Sequence, residues 1–382
     1  MNNKKLMRVG LRAGKNSLLI LSLVTLAFGC NKPHVDHNDL RDFKQVNLVA
    51  NKSSYYPVTV DPTLLNGFGL AWSPNGTAWV NSVGGHVSEL YSPDGVIART
   101  PVNIPSPTTA GGGFPCGIVF SGGKGFSLSN GASVFLFAGF DGVLSGWNPA
   151  SGDTAKRLKG PFNAHTSYTG LAIASNQGRN LIYAANFGDK KINVWDTTFA
   201  PVPMSFTDPN LPADYSPYNI QAVGDLLFVI YAKLGADGHG VAGNGNGLVS
   251  VFKTDGSFVK RFASNGTLNV PWGVTMAPGN FFEDDNQVNG NYKTNGHNGN
   301  HDTKEPVILV GNFGDGRINV FDLEGRYLGQ LKGRNHNTIV IDGLWALSFA
   351  PTTVTTIDPA RLYFTAGPAQ ETDGLFGYLI KQ

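Results

Sequence analysis

A short apolar run recurs six times along this chain of 382 residues, each time opening on a small or amide-bearing residue. It reads Gly69-Leu-Ala-Trp-Ser-Pro, Gly117-Ile-Val-Phe-Ser-Gly, Gly170-Leu-Ala-Ile-Ala-Ser, Asn219-Ile-Gln-Ala-Val-Gly, Gly273-Val-Thr-Met-Ala-Pro and Ala346-Leu-Ser-Phe-Ala-Pro. The anchors stand 48, 53, 49, 54 and 73 residues apart. A second apolar run follows each one, as at Ala78-Trp79-Val80, Leu181-Ile182-Tyr183 and Leu362-Tyr363-Phe364. A third, alternating run comes next in several repeats (Ile192-Asn-Val-Trp-Asp196, Leu248-Val-Ser-Val-Phe252, Ile318-Asn-Val-Phe-Asp322). Asp94-Gly95, Asp255-Gly256 and Glu324-Gly325 then turn the chain into a fourth. Four short strands per ~50 residues, repeated, are the signature of a β-propeller. A four-stranded sheet that is apolar on both faces cannot bury them alone, whereas sheets stacked radially bury one another.

The expected fold class is therefore all-β, a six-bladed β-propeller. Two stacked sandwiches would also use many short strands, but the common period and strand order fit radial symmetry better. The longest step contains residues 283–304, rich in Asn, Gly, Asp and His, which read as a loop and not as a seventh blade. Composition agrees. Hydrophobic residues make up 41%, aromatics 11% and charged residues 15%, too apolar and too weakly charged for a disordered chain. The 49 glycines and 22 prolines lack a three-residue period and exclude both collagen and a coiled coil.

Closure of the ring has a consequence in the sequence. The last repeat, residues 342–382, ends after its third strand. Residues 43–60 precede the first repeat and contain an orphan strand, Val46-Asn-Leu-Val49. This N-terminal strand is predicted to complete the last blade, so that 43–382 form one propeller domain.

Lys4, Lys5, Arg8, Arg12 and Lys15 precede an apolar run from Ser17 to Phe28, too short to span a bilayer. Residues 1–29 read as a secretory signal peptide. Gly29-Cys30 resembles a bacterial lipoprotein processing site, which predicts a lipidated Cys30 followed by a flexible tether, residues 30–42. An ordinary cleaved signal with an incidental Cys30 is the alternative. Cys116 is the one other cysteine, so a lipidated Cys30 leaves no internal disulfide, whereas a Cys30–Cys116 bridge would tie the tether to a blade. Without residues 1–29 the 29 basic residues fall to 24 against 27 acidic, a net charge of −3. No basic stripe remains for nucleic acid. The expected address is the cell envelope, periplasmic or surface-exposed and most simply the outer membrane, with membrane contact through the lipid alone and a monomeric state.

Asn186-Phe-Gly-Asp-Lys-Lys-Ile-Asn-Val-Trp-Asp196 and Asn312-Phe-Gly-Asp-Gly-Arg-Ile-Asn-Val-Phe-Asp322 are near copies. With Pro271-Trp-Gly-Val, Ile341-Asp-Gly-Leu-Trp-Ala-Leu and Leu362-Tyr-Phe-Thr-Ala-Gly-Pro368, they resemble a family of uncharacterised, secreted bacterial β-propeller proteins. The resemblance implies NHL-like repeats over about residues 43–382 and brings no catalytic residues.

The loops entering the innermost strands surround one mouth of a propeller's channel, the default ligand site. Phe68, Tyr168, Tyr218, Trp272 and Trp345 occupy those positions. They read either as a stacking platform for a carbohydrate or as wedges between blades. Asn81, Asn186, Asn312 and Asp342 form an oxygen-rich set suited to Ca²⁺ or Mg²⁺. The competing reading is that Asn-Phe-Gly-Asp closes a turn. His165 and His336 precede the third and sixth inner strands and are candidate general bases. No Gly-x-Ser-x-Gly elbow, His-Glu-x-x-His or phosphate loop is present. The sequence thus points to a ligand-binding or protein-interaction module, its partner a carbohydrate or an envelope protein. The alternative is a divalent-metal-dependent lactone or ester hydrolase, similar in architecture to gluconolactonases.

Overall fold

The glycine that opens four of the six repeats is a steric requirement of the ring they build. A computed structural model describes residues 34–283 and 304–382, all within the second of two compact units, Pro33–Gln382. The basic leader, Cys30 and most of the 283–304 loop lie outside the described residues. Blade 1 is formed by Gly67–Trp72, Ala78–Ser82, Val87–Tyr91 and Ile97–Asn103, paired in that order. Blade 2 uses Pro115–Phe120, Phe135–Gly139, Leu144–Trp147 and Lys156–Lys159. Blade 3 has Tyr168–Asn176, Arg179–Asn186 and Lys191–Trp195, with an extended edge begun by a Val202 to Val194 backbone hydrogen bond of 2.9 Å. Blade 4 is Tyr215–Val223, Leu226–Lys233, Gly247–Lys253 and Phe258–Ser264. Blade 5 is Pro271–Ala277, Val307–Asn312, Ile318–Phe321 and Tyr327–Gln330. Blade 6 is Leu344–Phe349, Leu362–Ala366 and Leu375–Lys381, completed by Phe43–Ala50. The first strand of each blade touches the first strand of the next, and blade 6 returns to blade 1.

A Cβ on Gly69 would strike the Cys116 carbonyl, one on Gly117 the backbone of Leu171, one on Gly170 Asn219, and one on Gly273 the Trp345 carbonyl. Each of these four anchors is thus the point where one inner strand abuts its neighbour. What remains of the axis beside Trp272 is a gap of about 10 Å³, room for roughly one water.

Closure occurs as expected. The N-terminal strand runs antiparallel to the last one, with Val46 opposite Tyr378, Asn47 opposite Gly377 and Val49 opposite Phe376. This removes the free edge a linear stack would expose. The stretch before it departs from the expected tether. Residues 34–42 pack down: Val35 and Leu40 are buried in the apolar cluster shared by blades 5 and 6, and Asp39 pairs with Lys304. Two apolar side chains and an ion pair hold a segment whose polar composition suggested freedom.

The acid–glycine turns recur as structure. Gly95, Gly256 and Gly325 have φ of 84°, 85° and 94°. A side chain there would meet Leu48, the Ser205 carbonyl and the Phe262 carbonyl, each on the outer edge of the preceding blade. Handedness and close approach both demand glycine. Tyr363 donates to the Pro93 carbonyl (3.1 Å) and Tyr183 to the Thr254 carbonyl (2.8 Å), stitching second strands to the following blade's turn.

Candidate ligand-binding site

The axis is closed on one side by aromatic rings. Phe68 stacks on Trp345 at 3.8 Å, and Phe313 stacks on the same indole at 4.0 Å. Trp272 meets Phe68 edge-on at 5.1 Å, Phe140 meets it at 5.5 Å, and Tyr218 lies 6.1 Å from Trp345 and 4.6 Å from Phe187. Four of the five predicted platform residues (Phe68, Tyr218, Trp272 and Trp345) are therefore together, but buried against one another as a plug. Trp345 is 1% exposed and Phe68 0%. The fifth, Tyr168, is elsewhere: it packs between blades 2 and 3, edge-on to Trp195 at 5.8 Å. Tyr168 is a wedge between blades. The plug owes three of its rings, Phe140, Phe187 and Phe313, to the residue that follows the second strand in blades 2, 3 and 5.

Above the plug opens a cavity of about 710 Å³. Its lining includes Phe114, Phe140 and Tyr218, and the polar side chains Asp141, His165, His239 and Glu371. These come from loops of blades 2, 3, 4 and 6. His165 is the sequence-predicted base. His336 is not among the lining residues; it sits exposed in the turn 333–338, closed by its N–H to the Gly333 carbonyl (2.9 Å).

Asp141 stands at the position filled by Gly188 in blade 3 and Gly314 in blade 5. Phe-Asp-Gly replaces Phe-Gly-Asp, which brings a carboxylate to the rim where blades 3 and 5 carry glycine. Desolvation raises its pKa, while the Val143 and Phe114 backbone N–H groups and nearby His86 oppose the rise. Its Oδ1 accepts the Val143 N–H at 3.2 Å, and its Oδ2 is shielded from solvent with no donor.

Glu371 arrives by an unusual backbone. Ala369, Gln370 and Glu371 have φ of 55°, 58° and 66°, one left-handed turn costing roughly 1–2 kcal/mol per residue. Asp342 holds it, its Oδ2 accepting the Ala369 N–H at 2.9 Å, and Thr372 donates to the Ala369 carbonyl at 2.7 Å. The Asn66 amide donates to Glu371 Oε2 at 2.7 Å and accepts from the Trp345 indole at 2.8 Å, coupling rim to plug.

The asparagines proposed with Asp342 are engaged separately. The Asn186 amide oxygen accepts the Ser167 and Asp189 N–H groups, and its NH₂ donates to Asp189 and Asn193. Asn312 donates to Thr267 and Asp315, and Asn81 to the Cys116 and Gly117 carbonyls of the next blade. Among the described residues no three His, Cys, Asp or Glu side chains are placed to hold one metal ion. The amide N–H groups of these asparagines close turns and join blades, while the amide oxygens of Asn81 and Asn312 are buried without a partner among the described residues. Cys116 is buried and unpaired among the described residues, and burial pushes its thiol pKa up.

No family model matches the chain. Uncharacterized protein L690 of Acanthamoeba polyphaga mimivirus is 31% identical over 363 residues, covering 88% of this chain and 86% of that protein. The chain belongs to the L690 family. Uncharacterized protein R648 of the same virus is 29% identical over 357 residues, covering 87% of this chain and 79% of its own. The uncharacterised family expected from the motifs is thus met by viral relatives in place of bacterial ones. Among solved structures, a gluconolactonase from Xanthomonas campestris has a TM-score of 0.46 at 14% identity, covering 83% of this chain and 86% of its own. A virginiamycin B lyase from Staphylococcus aureus has a TM-score of 0.43 at 13% identity, covering 89% and 99%. The blade count of this L690 family member rests on its own sheets, and no residue role is taken from either enzyme.

Proposed function

We propose that the protein is a ligand-binding module that seats a small organic molecule in the mouth cavity above the aromatic plug. The observation that carries this reading is convergence. Loops of four blades bring Asp141, His165, His239 and Glu371 around one apolar-walled cavity of about 710 Å³, within the range of small-molecule sites. Apolar walls with a few polar groups suit a sugar-sized compound: the rings cover a flat face, and the carboxylates and imidazoles orient it. The leader supports a place in the cell envelope with Cys30 as lipid anchor, testable by labelling with a radioactive fatty acid and loss of label in Cys30→Ser.

A thermal-shift screen of the full chain against sugars and small polar organic compounds tests the binding reading. A hit whose shift disappears in Phe114→Ala and Glu371→Gln supports it; hits unaffected by both variants contradict it.

His165 in the same cavity as Asp141 favours a second reading, hydrolysis of a lactone or ester with the imidazole as base. Turnover of a lactone panel abolished in His165→Ala would establish it, and turnover unchanged by that substitution would end it.

A further inference from the structure

We propose that the mouth cavity selects an organic cation, a protonated amine on a small apolar or hydroxylated body; this rests on the mouth being the binding site. Asp141 and Glu371 supply two carboxylates, and among the described residues no lysine or arginine lines the cavity. Asp141 lines the cavity, and its Oδ2 is withdrawn from solvent with no donor among the described residues. An ammonium N–H is the donor that best satisfies such an oxygen, because charge-assisted hydrogen bonds are the strong ones. Glu371 has one oxygen on Asn66, and its left-handed turn is pinned by Asp342, so the second carboxylate is held at the rim without spending both acceptors on the protein. The aromatic walls add to the same preference. Phe114 is 42% exposed, and Phe140 and Tyr218 line the cavity with it. Ring faces attract cations and do nothing comparable for anions. The departure Phe140-Asp141-Gly142 from the repeat order Phe-Gly-Asp places the charge, since a turn needing only packing would keep glycine, as blades 3 and 5 do.

Three probes of one shape isolate the charge: benzylammonium, benzyl alcohol and benzoate, titrated into the full chain at pH 7 by calorimetry or ligand-observed NMR. The expected order is benzylammonium tighter than benzyl alcohol by about tenfold, the equivalent of one strong charge-assisted contact, with benzoate weakest. Asp141→Asn brings the amine down to the level of the alcohol. Glu371→Gln lowers the amine's affinity by a smaller factor and serves as the independent variant should Asp141→Asn fold poorly. Equal binding of amine and alcohol, or tighter binding of benzoate, overturns the charge preference and leaves the cavity as a binding site. A thermal response to CaCl₂ with none to benzylammonium overturns it in favour of a metal. Silence from all three aromatic probes at millimolar concentration overturns it together with the mouth reading.

Discussion

Trp272 of blade 5 reaches past blade 4 to Thr169 of blade 3. Its indole N–H donates to the Thr169 carbonyl at 2.9 Å. Asn219 of the intervening blade completes the link, its amide donating to the Trp272 carbonyl at 2.8 Å. All three residues are buried. Two side chains on neighbouring inner strands thus link three blades near the axis, and the plug is hydrogen-bonded as well as packed.

Trp272→Phe keeps most of the ring and deletes the donor. The Thr169 carbonyl is then buried and unpaired, which costs about 1–3 kcal/mol. Urea unfolding of the variant is expected to show a lower midpoint by that amount, with native far-UV circular dichroism. Trp272→Ala adds a cavity and falls further, toward about 3–5 kcal/mol.

Gly170→Ala tests the steric reading of the repeat. Its Cβ would collide with the Asn219 side chain and Cα, so the inner strands of blades 3 and 4 must separate. Overpacking of this kind costs about 1–3 kcal/mol. Gly178→Ala, with open space around its Cβ, controls for size; its φ of 80° adds only local backbone strain. Thermal unfolding should rank Gly170→Ala below wild type by several degrees, and an unchanged midpoint would refute the steric account.

Stability should depend on Glu89, buried at 1% exposure beside Asp61 in blade 1. The Thr63 hydroxyl lies 2.6 Å from both carboxylates, but it has one proton to give. Asp61 also receives the Thr63 N–H and the Tyr91 hydroxyl, whereas Glu89 has the shared Thr63 hydroxyl as its side-chain donor. Burial raises the Glu89 pKa from 4.5 to about 7, with Asp61 adding to the rise and Thr63 opposing it. The folded state therefore binds the extra proton. This contribution is complete below pH 4.5 and is lost as pH climbs through about 7, by up to about 3 kcal/mol at 1.36 kcal/mol per unit. Glu89→Gln, a permanent donor to Thr63, should match wild type near pH 4.5 and exceed it at pH 8. Parallel pH profiles of the two proteins would show that Glu89 does not titrate in this range.

The blades were legible because each repeats a physical necessity. Glycine marks inner-strand contact, Asp-Gly marks the turn docked on the preceding blade, and the unmatched Val46–Val49 run marks closure. The mouth was legible only in part. His165 was found from its place before an inner strand, whereas Asp141, His239 and Glu371 come from loops that share no motif. The one available signal for Asp141 was a break in the repeat, Phe-Asp-Gly for Phe-Gly-Asp. Glu371 depends on three consecutive left-handed residues that no glycine announces. The asparagines recur because their amide N–H groups close turns and join blades, as at Asn186 and Asn81. The packing of residues 34–42 turned on Val35 and Leu40, two apolar residues in a polar stretch.

A cross-link between positions 46 and 378 tests the closed ring most directly. Val46 and Tyr378 are partners on adjacent antiparallel strands, where Cβ atoms lie ~4.5–5.5 Å apart, close to disulfide reach. Val46→Cys with Tyr378→Cys, oxidised under dilute conditions, should give an intramolecular disulfide in the native full chain and a higher unfolding temperature, while buried Cys116 stays unmodified. Failure to cross-link in the folded protein, or disulfides only between molecules, would mean the N-terminal strand does not complete the sixth blade.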